Sequence, residues 1–375
     1  MKPPLKHRWS ISHNYLTGIT AGDWWRLLRQ NGFAVDPVYW HRAAVVSVLS
    51  LANSFYRRRE EKKHGAEIAA TQIQQPPLFI LGHWRSGTTH LHNLLAHDDE
   101  GFAYANTYQV VNPHIFLTTE EVRTRRFAKL LPDKRPMDNM ALTFESPQED
   151  EFAPLLVTLL SSYLGVSFPR RENHYNRYLS FDGVPCEEIE AWKDGFTWFL
   201  KKLTLKYGPR RRLLLKSPPH TARVRLLLEM FPDAKFVHIH RRPEEVLQSF
   251  RHYYDTAMWH TYLQRPDRSK IDDEIIQRYR ELMGALIRDK SLIAPGNFHE
   301  VAFADLERDP MGTVTGIYRA LSLDGVDRAL PKIKAYADTL KDYEKNRFQS
   351  LDEASKQRLR KEWSPIYEPL GYRIE

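Results

Sequence analysis

Between Gly82 and Thr89 the chain reads Gly-His-Trp-Arg-Ser-Gly-Thr-Thr. Two glycines, one cation and three hydroxyls in eight residues suit the binding of an anion. The four residues before the loop, Leu78 to Leu81, are apolar and uncharged, as a buried parallel strand requires. Behind it Leu91, Leu94 and Leu95 recur at helical spacing. A strand, a glycine loop and a helix start in that order aim unpaired N–H groups and the positive end of a helix dipole at a phosphate. Set against the pattern G-x-x-x-x-G-K-[ST], Gly82 and Gly87 hold the glycine positions and Thr89 the hydroxyl position. Thr88 stands where the lysine belongs, and the cation comes earlier, at Arg85. Magnesium-dependent phosphoryl transfer needs that lysine and an acidic metal ligand. The loop therefore suits phosphate without suiting that chemistry.

A second reactive stretch is Phe144-Glu145-Ser146-Pro147-Gln148-Glu149-Asp150-Glu151. Adjacent carboxylates repel one another and need solvent or basic partners. Two readings stand level. Either the acids begin a solvated helix, opened by Ser146 or Pro147, or one of Glu145, Glu149 and Glu151 faces an acceptor hydroxyl as a base.

The elements that must carry these groups are legible as apolar runs. Strands are expected at 78–81, 212–216, 235–240 and 298–303, with a fifth not located. The strand at Lys235 to His240 runs into Arg241, with no aspartate at its tip to hold magnesium. The one ending in Lys216 meets Ser217-Pro218-Pro219-His220, where two prolines stop it and aim the next loop. Residues 119–136 and 152–208 read as helical, as do residues 254–295, with Tyr262, Ile275, Ile276, Tyr279 and Leu282 as the apolar face of that last stretch. Most of the aromatic residues between 163 and 199 are expected in the core. Residues 11–76 read as helices ahead of the first strand, with Glu60 to Gln75 as a polar link. Ala43 to Ala52 is the most apolar run there, too short to span a bilayer, which takes roughly 20 residues. Tyr39 and Trp40 precede it and Arg57-Arg58-Arg59 follow it. Packing on the domain is the favoured reading of this segment. Peripheral membrane contact through residues 39–59 is the alternative.

The 375 residues, 42% hydrophobic and 27% charged, are those of a globular protein. A net charge of +8 suits an anionic cofactor, an acidic acceptor or an anionic surface. Cys186 is the only cysteine, which excludes an intrachain disulfide and a cysteine metal cluster. No spacing for a nucleic-acid-binding motif is found. Met1 to Ser10 are basic and polar with no apolar stretch behind them, so no secretory leader is expected.

The segment Trp84-Arg85-Ser86-Gly87-Thr88-Thr89 resembles the 5′-phosphosulfate loop of sulfotransferases, often [KR]-S-G-T-T. A second segment strengthens the likeness: Arg241-Arg242-Pro243 to Ser249 resembles that family's R-x-P-x-x-x-x-x-S, which follows a strand and holds a 3′-phosphate. Ala304 to Pro310 and Pro369-Leu370-Gly371-Tyr372 are similar to two further family segments. The resemblance runs patchily over residues 77–320. It implies a sulfuryl donor, 3′-phosphoadenylyl sulfate (PAPS), and no metal. It places Arg85, Ser86, Gly87, Thr88 and Thr89 on the 5′-phosphosulfate, and Arg241 and Ser249 on the 3′-phosphate. Lys216-Ser217 matches the first two residues of the family's K-T-H, whose lysine approaches the transferring group. Pro218 replaces the histidine, and His220 lies two residues on. The glutamate that many members carry near Ala103 to Gln109 is missing, so the base is left among His220, Glu145, Glu149 and Glu151.

The expected fold is α/β, of P-loop type: three layers around a central, mainly parallel sheet of about five strands. A helical N-terminal extension over 1–76 precedes a catalytic domain over 77–375. The expected activity is metal-free, in-line sulfuryl transfer to a hydroxyl or amine of a small-molecule, lipid or carbohydrate acceptor, with peptide tyrosine also open. The expected location is the cytoplasm, with membrane association as a variant. The competing readings are a P-loop nucleotide kinase or NTPase, and a non-catalytic, membrane-associated phosphonucleotide binder.

Overall fold

The computed structural model describes residues 5–11, 14–127, 137, 140, 143–341, 346 and 348–374. In chain order these form α1 (Ala21–Gln30), α2 (Trp40–Ala70), β1 (Leu78–Leu81), α3 (Thr88–Ala96), β2 (Phe102–Ala103), α4 (Thr107–Val111), α5 (Phe116–Phe127), α6 (Phe152–Thr158), α7 (Leu164–Ser167), α8 (Glu172–Asn176) and α9 (Cys186–Tyr207). There follow β3 (Arg212–Lys216), α10 (Val224–Met230), β4 (Lys235–His240), α11 (Pro243–Thr256), α12 (Ile271–Asp289), β5 (Phe298–Ala302), α13 (Phe303–Arg308), α14 (Pro310–Ala320), α15 (Val326–Asp338) and α16 (Glu353–Tyr367). The chain gathers into two compact units. One comprises Met1–Gln72, Asn106–Lys206 and Tyr253–Ser269, and the other Ile73–Ala105, Tyr207–His252 and Lys270–Glu375.

The second unit holds a five-stranded sheet in the order β2-β3-β1-β4-β5, every pair parallel. β1 lies at its centre because it is apolar at every position: Leu78, Phe79, Ile80 and Leu81 are all fully buried. Alternation sends Leu78 and Ile80 into a core shared with α3, α14 and α15. Phe79 faces the other way, with its ring stacked 5.5 Å from Phe236. After β1 the chain leaves toward β3 and β2, and after β4 toward β5. The crevice between the carboxyl ends of β1 and β4 is therefore the topological switch point, where open parallel sheets bind ligands. The fifth strand, unlocated in the sequence, is β2, only two residues long.

The first unit is helical, and charged groups serve inside it. Arg42 is buried and donates to the carbonyls of His7, Ser10, Trp259 and Tyr262. Lys202 of α9 is buried against Glu60 of α2, whose carboxylate also accepts from the backbone and hydroxyl of Thr118. Loss of hydration pulls Lys202 down to about 8, opposed by the Glu60 charge. Three sequence expectations change here. Glu60 to Ala70 continues α2 and is not a linker, because Glu60 and Ile68 are inward and buried. The stretch 254–295 is not one helix: α11 ends at Thr256, α12 begins at Ile271, and buried Tyr262 lies between them. No helix opens at Ser146 or Pro147, since α6 begins at Phe152. The helical expectation over 119–136 holds to Phe127, and its remainder falls largely outside the described residues.

Candidate active site

The loop between β1 and α3 is folded by its own sequence. Ser86 turns back on His83, its N–H and its hydroxyl both donating to the His83 carbonyl, at 3.1 and 2.8 Å. Gly82 and Gly87 have φ of 148° and 101°. A Cβ on Gly82 would come within 2.5 Å of the Ile239 carbonyl oxygen, and one on Gly87 within 2.2 Å of the Phe303 ring. Both positions therefore need glycine for close approach as well as for conformation. Arg85 is also left-handed, with φ 72°, a costly conformation for a side chain of its size. The Gly82 N–H is held by the Thr221 hydroxyl at 2.8 Å.

α3 opens at Gly87 with no acidic residue in its first turn and no side-chain cap on its N–H groups. Its dipole is thus left to an anion. By contrast α11 starts with Glu244 and Glu245 in its first turn.

The structure brings the glycine loop and the segment from Arg241 to Ser249 together. Arg85 Nε donates to Ser249 Oγ at 2.9 Å, across the β1/β4 crevice. Lys216, buried at the end of β3, reaches Thr89 Oγ1 at 3.4 Å. Arg241 follows β4 directly. Its guanidinium lies 4.5 Å from the centroid of the Phe303 ring and donates through Nε to Glu245 at 2.6 Å. Behind the loop, His83 is buried among Trp84, Phe250 and Tyr279. Loss of hydration pushes it down to about 3, so it is neutral. At the far side of Arg241, His240 shares a 2.8 Å hydrogen bond with the Tyr372 hydroxyl. Burial lowers the imidazole to about 4 and raises the phenol to about 12.

His220 lies in a short 3₁₀ turn after β3, fully buried, with its ring edge-on to Phe79 at 5.3 Å. The carboxylates belong to the helical unit. Glu145 is exposed, and Glu149 is half-buried and accepts from the Tyr163 hydroxyl at 2.5 Å. Glu151 is fully buried and accepts from the Ser161 hydroxyl at 2.6 Å. Burial, with the Glu149 charge beside it, keeps Tyr163 protonated.

Sequence reasoning missed Phe303, Thr221 and Glu245. Phe303 carried one signal, an aromatic residue at the carboxyl tip of a strand. Glu245 carried another, a carboxylate four residues after Arg241 on a helix start. Among the described residues no group of three His, Cys, Asp or Glu side chains forms a metal-ligand set.

Comparison with known proteins gives a consistent result. The model of the sulfotransferase family matches residues 76–328. The omega-hydroxy-beta-dihydromenaquinone-9 sulfotransferases Stf3 of Mycobacterium tuberculosis and Mycobacterium bovis are each 36% identical over 356 residues, 95% of this chain and 90% of theirs. Among solved structures, sulfotransferase STF9 of Mycobacterium avium aligns with a TM-score of 0.67 at 16% identity, over 96% of this chain and 97% of that one. Sulfotransferase STF1 of Mycobacterium tuberculosis aligns at 0.62 and 17% identity, over 84% and 86%. A strand, glycine loop and helix, a second basic segment at the same switch point and a family match over both of them lead to one conclusion: this chain belongs to the sulfotransferase family.

Proposed function

We propose that the protein transfers a sulfuryl group from PAPS to a hydroxyl of an apolar, lipid-like acceptor. The observation that carries the donor is the Arg85–Ser249 contact, which joins the two segments resembling the 5′-phosphosulfate and 3′-phosphate sites. The residues present fit such a donor in chemistry. The uncapped start of α3 offers N–H groups of residues 87–89, Thr88 and Thr89 add hydroxyls, and Arg85, Lys216 and Arg241 add charge, while the N–H and hydroxyl of Ser86 are spent on the His83 carbonyl. Arg241 and Ser249 would take the 3′-phosphate, with the Glu245 carboxylate yielding its place on Arg241 to it.

In the transfer one S–O bond forms to the acceptor oxygen and the S–O bond to the 5′-phosphate breaks. Negative charge gathers on the leaving phosphate, where Arg85 and Lys216 offset it. The acceptor proton passes to a base among His220, Glu145, Glu149 and Glu151. The apolar acceptor is suggested by the Stf3 relatives, whose name carries a hydroxylated dihydromenaquinone. Peripheral membrane contact through residues 39–59 belongs to the same reading.

Calorimetry without magnesium tests the donor, comparing 3′,5′-adenosine bisphosphate with 5′-AMP and ATP. The bisphosphate is expected to bind best. Arg241→Ala should cost it about 10- to 100-fold, the worth of a lost charge-assisted hydrogen-bond pair. Equal binding of all three, or binding of ATP with magnesium alone, sinks the proposal.

A further inference from the structure

The helix α2 has its polarity reversed. Its buried positions carry Arg42, Ser50, Asn53 and Glu60, with Val46 and Ile68 as the apolar exceptions. Its outward positions carry Trp40, Val48, Leu51 and Phe55, each more than half exposed, with Ala44 between them. Residues 40, 44, 48, 51 and 55 are spaced by four, four, three and four, so they form one stripe, about 22 Å long at 1.5 Å per residue. Trp25 of α1 and Phe33, in the segment leading to α2, are also exposed, with rings 5.1 Å apart. The Trp40 indole N–H ties the start of the stripe to the Val35 carbonyl. At the other end the same face turns basic: Arg58, Arg59, Lys62 and Lys63 are exposed, and Arg59 lies over the Phe55 ring. Between residues 40 and 63 the only exposed carboxylate is Glu61.

An outward apolar face of this size, held out by a polar buried face, costs free energy in water and marks a non-aqueous partner. We infer that this face of α2, with Trp25 and Phe33, docks on the surface of an anionic lipid bilayer. The charge pattern selects that partner. The basic end complements lipid phosphates, the tryptophans suit the interfacial zone, and a second copy would bring no carboxylates to meet the basic end. No helix among the described residues is long and apolar enough to cross a membrane, so the contact lies in the plane of the surface. This inference deepens the membrane part of the proposed function and is independent of the donor site.

Flotation with vesicles of phosphatidylcholine plus phosphatidylglycerol, against phosphatidylcholine alone, tests it. The full chain should bind the anionic vesicles about tenfold or more better, and high salt should erase most of the difference. The triple substitution Val48→Ser, Leu51→Ser, Phe55→Ser should weaken binding to anionic vesicles about tenfold or more. Arg58→Glu with Arg59→Glu should remove the anionic preference alone, and both sites are exposed enough to leave folding intact. No binding to anionic vesicles overturns the inference, as does equal binding by the triple variant. Self-association of the wild type that the triple variant abolishes also overturns it, by showing that a second copy covers the face. Calorimetry with 3′,5′-adenosine bisphosphate on the same samples separates the readings. Vesicle binding without nucleotide binding leaves this inference standing and fells the donor proposal.

Discussion

The two units use buried and half-buried cations in opposite ways. In the helical unit Arg42 and Lys202 are spent on the protein itself, on four carbonyls in one case and on Glu60 in the other. In the sheet unit Lys216, Arg85 and Arg241 collect at the carboxyl ends of β3, β1 and β4, around a helix start without an acid. The first arrangement stabilises a fold whose parts come from distant stretches. The second gathers like charge in one place, which suits an anion more than it suits stability. The same kind of residue is thus paired inside the helical unit and gathered at the carboxyl edge of the sheet in the other.

The largest expected effect falls on the structural side. Lys202→Met leaves the Glu60 carboxylate buried without its partner and should cost about 3–5 kcal/mol in urea unfolding. A loss under about 1 kcal/mol would mean that the pair contributes nothing net. The matching change in the sheet unit, Lys216→Met, should do the reverse. Stability should stay within about 1 kcal/mol, because one of several like charges is removed, while turnover falls about 10²- to 10³-fold. Unfolding of this variant with turnover retained would erase the contrast between the units.

The smallest effect sharpens the account of the loop. His83 is neutral when folded, down to about 3 against an ordinary 6.5. Its folded value lies below its unfolded one, so its contribution is complete above about pH 6.5 and is lost as pH falls toward 3. The slope is about 1.4 kcal/mol per pH unit for this one proton. His83→Phe should flatten the acid limb of the stability curve by that amount. An unchanged slope would place the acid sensitivity elsewhere, with the buried His114 and the half-buried His240 as the next to test.

The sheet was largely legible because its strands announce themselves locally. The runs 78–81, 212–216 and 235–240 coincide with β1, β3 and β4, and the last expected strand ends one residue early, at Ala302. β2 escaped because two residues carry no periodicity. The glycine loop and the segment from Arg241 to Ser249 were legible as motifs, and the structure joins them through the Arg85–Ser249 contact. The ring of Phe303 against Gly87 and the grip of Glu245 on Arg241 were not, since each is a fact of packing. The helical unit was hardest to read. It is assembled from three separated stretches, and the inward residues of α2 are mostly polar ones that a hydrophobic pattern assigns to the surface.

The Phe303 ring has one face of contact with Gly87 and carries the Arg241 guanidinium on its π-cloud. Positions 87, 241 and 303 are therefore coupled through one ring. A lineage that gains a side chain at 87 must first give up the aromatic ring at 303, and with it the support of Arg241. The three positions lie far apart in sequence, yet a side chain at 87 and the ring at 303 cannot occupy the same space.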